Sequence, residues 1–273
     1  MKHEFQSFWY GGELSPYEVL CLKSFLDHGH GFKLYTYKEF EVPIGVQRCD
    51  ANEVLPESTV FFYKHYPEVG SIAAFANQFR YALLSKFGGW WVDMDMICLA
   101  DDIQAFETFY ALEKPGRVNS AMLRFPAEHE AMIDCLKQAE ALGHDVGFGV
   151  TGPTLCTSVF SKLDMLDRAQ EPELCYPIKW SEYLRVFDPK SRTALEQLTK
   201  NSAAVHLWNE LIRRGRFDKQ KAPPQDSFLD VLSVRHGVTF SKGRYTFPQL
   251  QYLHKKHEVE QTLRKAIKSL LGR

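Results

Sequence analysis

Two carboxylates one residue apart, Asp93 and Asp95, are the part of this 273-residue sequence best suited to chemistry. They follow Gly88-Gly89 in the run Trp90-Trp91-Val92-Asp93-Met94-Asp95-Met96. Read as one strand over 90–99, the segment alternates its side chains between faces with period two. Trp91, Asp93 and Asp95 then share one face, and Trp90, Val92, Met94 and Met96 point the other way into apolar surroundings. Carboxylates crowded at a buried strand end repel each other, so one takes up a proton unless a cation lies between them. A hard divalent ion resolves the conflict. Mg²⁺ or Mn²⁺ binds a few carboxylates and completes its shell with water and phosphate oxygens. Such an ion can hold a diphosphate and neutralise the charge that builds up as it leaves. A lone D-x-D also describes a strand that merely ends at a solvated loop, so its context has to decide.

Several other groups are candidates to work beside the pair. Asn77 and Arg80 lie three apart in a helical segment and therefore share a helix face. Phe8-Trp9-Tyr10-Gly11-Gly12 closes the first strand, where α/β sheets hold their ligands. Trp9 or Tyr10 is the candidate platform for a nucleobase, and Trp91 lines the same pocket or serves as plain core. His206, in Ala204-Val205-His206-Leu207-Trp208-Asn209, is the best candidate for a third protein ligand; its imidazole suits Mn²⁺ better than Mg²⁺. Asn209 is the weaker alternative. Asp145 and Asp226 compete as the polar group near a reacting carbon, and the sequence does not choose between them.

The elements that must position these groups read as an alternation of helices and strands. A strand over 5–10 leads into Ser15-Pro16-Tyr17-Glu18, which combines a capping box with proline at the first helical position. The helix that follows stops near Gly29 or Gly31, and 32–37 is the next strand. This β-α-β order implies a parallel sheet. Residues 71–86 form the clearest helix, with Ile72, Ala76, Phe79 and Leu83 at helical spacing and Gly88-Gly89 as its stop. Helices are also expected over 127–142 and 227–236, and a short strand over 203–207. Thr151 and Pro153 read as the capped start of another helix.

The segment 75–84 followed by Gly88-Gly89-Trp90-Trp91-Val92-Asp93-Met94-Asp95 resembles the D-x-D glycosyltransferases of the GT-A type. It is most similar to family 32, which holds bacterial capsule and lipopolysaccharide transferases and initiating mannosyltransferases, and more distantly similar to the clostridial glucosylating toxins. The resemblance extends over roughly 5–210. It implies a Rossmann-like mixed sheet flanked by helices, and transfer of a sugar from a nucleotide diphosphate donor with retention of configuration. It places Asp93 and Asp95 at a Mn²⁺ or Mg²⁺ site with His206, and Arg80 and Asn77 on the diphosphate and the donor sugar. It sets Gly152-Pro153 facing the sugar. The toxins carry an aspartate where Asn77 stands, which leaves the sugar open. A UDP-sugar is favoured over a GDP-sugar on the same grounds, with a glycan acceptor, free or lipid-linked.

Composition narrows the remaining classes. A net charge of −1 provides no basic field for nucleic acid. Neither a signal-peptide core nor an apolar run long enough to span a bilayer is visible, so a cytoplasmic location is expected. The six cysteines are scattered without a C-x-x-C pair, which argues for free thiols. The division expected is a GT-A domain over 1–245 and a basic helical tail over 246–273. In that tail Val259, Leu263, Ala266, Ile267 and Leu270 share a face rimmed by Lys255, Lys256, Arg264, Lys265 and Lys268. Such a helix suits either an anionic membrane at the cytoplasmic face or docking on the domain. Three other functions stay open: a protein-modifying transferase, a nucleotidyl- or phosphotransferase, which the missing G-x-x-x-x-G-K-[ST] loop disfavours, and a non-catalytic binding module.

Overall fold

The computed structural model describes residues 2–65, 67–104 and 106–270. Its strands are β1 (Glu4–Trp9), β2 (Gly31–Thr36), β3 (Val46–Asp50), β4 (Gly89–Val92), β5 (Met96–Cys98), β6 (Phe109–Lys114), β7 (Arg117–Phe125), β8 (Ala204–His206), β9 (Lys221–Ala222) and β10 (Lys242–Arg244). The helices are α1 (Pro16–Asp27), α2 (Ala73–Phe87), α3 (Glu130–Leu142), α4 (Leu155–Lys162), α5 (Arg192–Thr199), α6 (Asn209–Arg214), α7 (Phe228–Arg235) and α8 (Phe247–Leu270). Six strands form one mixed sheet in the order β3-β2-β1-β4-β7-β6. β1, β2, β3 and β4 run parallel; β7 lies antiparallel between β4 and β6, and β6 runs in the same direction as the first four. The chain is an α/β protein with helices on both faces of this sheet.

Period-two alternation builds a core on each face. Trp90 packs with Phe5, Phe25 and Phe32 on the side covered by α1, while its neighbour Trp91 packs with Phe75, Phe79 and Leu123 on the side covered by α2, α3 and α4. Burying each large aliphatic or aromatic side chain contributes about 1.5–3 kcal/mol. A third core, with Ile97, Tyr183, Phe187, Val205 and Leu250, joins the later helices to the sheet. All six cysteines are free.

Local signals set the helix ends. Ser15 caps α1, and the Ser15 N–H donates to Glu18 Oε2 at 3.0 Å to close the capping box. After α2 the chain must turn at once into β4. Gly88 does so at φ +64° and ψ −161°, and a Cβ there would lie 2.4 Å from the Ala127 nitrogen, so only glycine fits. Gln6 Nε2 donates to Gly88 O at 2.8 Å and ties this corner to β1.

Two expectations need correction. Residues 90–99 are two strands rather than one. β4 ends at Val92, Asp93-Met94-Asp95 turns, with the Met96 N–H donating to Asp93 O at 3.1 Å, and β5 leaves the main sheet to pair antiparallel with β8. The partner strand β8 comes more than a hundred residues later, and that pairing bends the chain. Thr151 does not cap a helix either. It belongs to a wide π-type turn, Val150–Thr154, that precedes α4.

In the tail, Leu250 is fully buried and Tyr183 OH lies 3.0 Å from His254 Nδ1, so the start of α8 packs on the body. Further along, Val259, Leu263 and Ile267 are exposed. The side chains of Lys265, Lys268 and Leu270, and residues 271–273, lie outside the described set. No helix among the described residues is long and apolar enough to cross a membrane.

Candidate active site

The D-x-D turn joins two sheets. β4 carries the chain up to Asp93, whose N–H donates to Ala121 O of β7 at 2.8 Å. Asp95 O accepts from the Leu207 N–H at 2.9 Å, which locks the turn to the end of β8. Asp93, Asp95 and His206 therefore meet, each offering a ligand atom within 4.8 Å of the others. They lie on the floor of a cleft of about 760 Å³.

The floor is already partly balanced in charge. Arg80 Nη2 donates to Asp93 Oδ1 at 2.5 Å, and Trp91 Nε1 donates to the same oxygen at 2.8 Å. Asp95 Oδ2 accepts from the Asn209 N–H at 2.7 Å and lies 3.0 Å from His206 Nε2. Asp93 thus has the Arg80 guanidinium beside it, and Asp95 the His206 imidazole, before any external cation binds. Burial pushes Asp93 above the ordinary carboxylate value; Arg80 opposes this, and the neighbouring Asp95 adds to it. Burial acts on Asp95 in the same direction, yet the His206 charge and hydrogen bond and the Asn209 amide outweigh it and hold Asp95 low. Burial disfavours the His206 imidazolium, but Asp95, by charge and hydrogen bond, raises it above its ordinary value.

The site has unused bonding capacity. Ser7 Oγ, Arg80 Nε, Arg80 Nη1, His206 Nδ1 and Asn209 Oδ1 are buried without a hydrogen-bond partner, and all belong to residues of this cleft. Buried polar groups are nearly always paired, so such a concentration marks a place that a ligand completes. Among the described residues Asp93 Oδ2 and Asp95 Oδ1 accept no hydrogen bond. Two carboxylates with free oxygens and an imidazole form a donor set that fits Mn²⁺ or Mg²⁺.

The other expected residues sit around this floor. Trp9 and Tyr10, at the carboxyl end of β1, line the cleft half-buried, and Trp9 Nε1 donates to Gly12 O at 3.1 Å. Asn77 is buried on α2 and its Nδ2 donates to Thr151 Oγ1 at 3.2 Å. Pro153 lines the cleft, and a Cβ on Gly152 would stand 3.0 Å from Asn77 Nδ2 and 3.4 Å from Ser120 Oγ. Arg80 stacks its guanidinium over Trp91 at 5.0 Å. Asp145 and Asp226 are not among the cleft residues. Asp145 pairs with His65 at 2.9 Å in an exposed loop, and Asp226 is exposed 3.7 Å from Arg192.

Sequence reasoning missed a polar group on the β6–β7 hairpin. Glu113 accepts from Arg117 Nε at 2.6 Å and from Asn119 Nδ2 at 2.8 Å, and all three line the cleft. The available signal was Asn119-Ser120 between the apolar residues Val118 and Ala121-Met122-Leu123. Trp208 was named only as a neighbour. It holds a left-handed backbone at φ +56°, a conformation costing a non-glycine residue about 1–2 kcal/mol. Its Nε1 bond to Ile178 O at 2.9 Å and its ring 4.1 Å from that of His206 hold it there.

Residues 17–110 match the family model described as a glycosyltransferase sugar-binding region containing the DXD motif, and residues 124–227 match the alpha 1,4-glycosyltransferase conserved region. The chain is 32% identical to lactosylceramide 4-alpha-galactosyltransferase of Mus musculus, over 54% of this chain and 44% of that protein. Against the Pongo pygmaeus protein of the same name the identity is 31%, over 51% of this chain and 68% of the relative. Alpha-1,4-N-acetylglucosaminyltransferase of Homo sapiens is 26% identical over 50% of this chain and 43% of that protein. The chain thus spans less than half the length of the mouse and rat relatives. Among solved structures it is similar to the PaToxG glycosyltransferase, with a TM-score of 0.44 and 11% identity over 72% of this chain and 75% of the other; so partial a likeness carries no argument.

Proposed function

This chain belongs to the glycosyltransferases whose sugar-binding region contains the D-x-D motif, and on that premise we propose that it moves a sugar from a nucleotide diphosphate donor to a glycan hydroxyl. The observation that carries the reading is the convergence of Asp93, Asp95 and His206 on a cleft floor with Arg80 beside them. These three residues would hold Mn²⁺ or Mg²⁺, which when bound would supply positive charge to the departing diphosphate.

The chain's own residues do the rest. Arg80, fixed by Asp93 through Nη2, keeps the N–H groups of Nε and Nη1 for phosphate oxygens. Asn77, Gly152 and Pro153 form the wall against the donor sugar. Trp9 or Tyr10 stacks on the base. Catalysis then rests on preorganised charge at the leaving group and on positioning of the acceptor, with retention of configuration carried over from the family 32 resemblance. A UDP-sugar is the favoured donor, because galactose and N-acetylglucosamine, the sugars in the relatives' names, are ordinarily carried by UDP.

The acceptor is a lipid-linked or cell-surface glycan. Two observations support this: the relatives' names specify lactosylceramide, and α8 exposes Val259, Leu263 and Ile267 beside Lys255 and Lys256. That helix brings the protein to an anionic membrane, at the cytoplasmic face in the bacterial capsule and lipopolysaccharide systems it resembles. In flotation with anionic vesicles, a chain truncated after residue 254 should lose partitioning; unchanged partitioning refutes this membrane role.

A screen of nucleotide sugars with Mn²⁺ tests the central reading. Nucleoside diphosphate should be released, and the donor should raise Tm in a manner abolished by chelator. Release of pyrophosphate, or donor binding indifferent to chelator, would overturn it.

A further inference from the structure

Trp180 stands apart from the other four tryptophans. Trp9, Trp91 and Trp208 each donate their indole N–H, to Gly12, Asp93 and Ile178, and Trp90 is buried between Phe5 and Phe109. Trp180 is 56% exposed, and among the described residues no hydrogen bond or aromatic ring engages its indole. It nevertheless lines the same cleft as the D-x-D residues.

Its exposure follows from where its helix runs. Trp180 opens the 3₁₀ helix Trp180–Phe187. Residues three apart eclipse in such a helix, so Trp180, Tyr183 and Val186 form one row. Tyr183 and Val186 are buried at 4% and 1%, which fixes the row against the third core. The first member of the row extends beyond that core into the cleft. The backbone before it is held by the Trp208 Nε1 bond to Ile178 O. The ring is thus presented on an anchored support.

The topology also sets which end of the cleft Trp180 occupies. β1, with Ser7 and Trp9 and followed by Tyr10, pairs with β4, and β4 ends at Val92, next to Asp93. Asp95 opens onto β5, which pairs with β8, and β8 leads through His206 and Trp208 to Ile178 and Trp180. The carboxylate turn therefore separates the β1 end from the Trp180 end. With the donor base on the β1 side, the Trp180 side is left for the second substrate.

We propose that Trp180 is an acceptor-binding residue, the stacking platform for a sugar ring of the glycan that receives the transferred sugar. This rests on the glycosyltransferase reading. In galactopyranose the axial O4 lies on one face and leaves C3–H, C4–H and C5–H together on the other, and these weakly positive C–H groups pack on the negative face of an indole. The exposed edge of the ring leaves its N–H free for a hydroxyl.

Saturation-transfer NMR with the wild-type protein, Mn²⁺ and nucleoside diphosphate tests the subsite, using lactose, cellobiose and maltose as probes. Lactose should receive saturation, and Trp180→Ala should weaken its binding about tenfold, with Trp180→Phe intermediate. In turnover assays the loss should fall on acceptor KM rather than donor KM. Absence of transfer to every probe in the wild type, or equal transfer in Trp180→Ala at unchanged Tm, overturns the platform. Failure of the wild type to cleave any nucleotide sugar with Mn²⁺ would instead overturn the transferase reading.

Discussion

On the floor of the cleft each carboxylate has a basic group within 3.0 Å, the Arg80 guanidinium on Asp93 and the His206 imidazole on Asp95, and all four side chains are largely enclosed. On the rim, Trp180 and Phe148 stand about half exposed, Arg213 pairs with Glu210, and Arg214 pairs with Glu210 and with Glu68 behind the cleft lining. The floor is assembled from buried charges that cannot move without leaving one of them unpaired, which is strongly destabilising in a low-dielectric setting. The rim adds apolar surface and the Arg213–Glu210 pair, which is open to solvent on the arginine side and worth little, while Arg214 is as enclosed as the floor residues. Changes on the floor should therefore alter the chemical step, and changes on the rim should alter affinity.

The largest test of that division is Asp95→Ala. Metal-dependent release of nucleoside diphosphate should fall on the order of 10²–10³-fold, with the Mn²⁺ shift in Tm abolished, as removal of preorganised charge stabilisation requires. Asp93→Ala should do the same and also leave Arg80 without a partner. Next, Arg80→Lys preserves charge but loses the planar fork, and kcat should drop roughly 10–100-fold with a smaller change in donor KM. Gly152→Ala lies between floor and rim. Its Cβ would press on Asn77 and Ser120, so donor KM should rise about tenfold while stability falls by about 1–3 kcal/mol, the usual range for overpacking. The smallest effect belongs to Phe148→Ala, which removes the stack under Arg214 at 4.6 Å. Chemical denaturation should register a loss of about 0.5–1 kcal/mol, and kcat should be unaltered. A Phe148 effect on kcat as large as that of Arg80 would erase the distinction between the two regions.

Much of the floor was legible because its signals are local. The capping box at Ser15, the glycine stop at Gly88-Gly89, and the helical spacing of Asn77 and Arg80 each act within a few residues. So does the two-residue spacing of the carboxylates, even though the straight strand assumed for them is a turn. The rim was less legible. β7 is buried almost throughout and shows no polar alternation, so the Glu113–Arg117–Asn119 group emerged only when β6 folded back on it. Asp145 attracted notice by type alone and lies in an exposed loop.

What the amino-acid order determined was therefore the alternation of helices and strands, the caps that end them, and which residues carry charge at the sheet edge. Tertiary structure decided where the chain bends at Asp93-Met94-Asp95, which basic group faces each carboxylate, and how far Trp180 stands clear of the core. The reason is physical range. Hydrogen-bond geometry and side-chain periodicity act over one or two turns of backbone, whereas pairing β5 with β8 and burying Tyr183 depend on segments scores of residues apart, brought together by burial of apolar surface that no single stretch of sequence encodes.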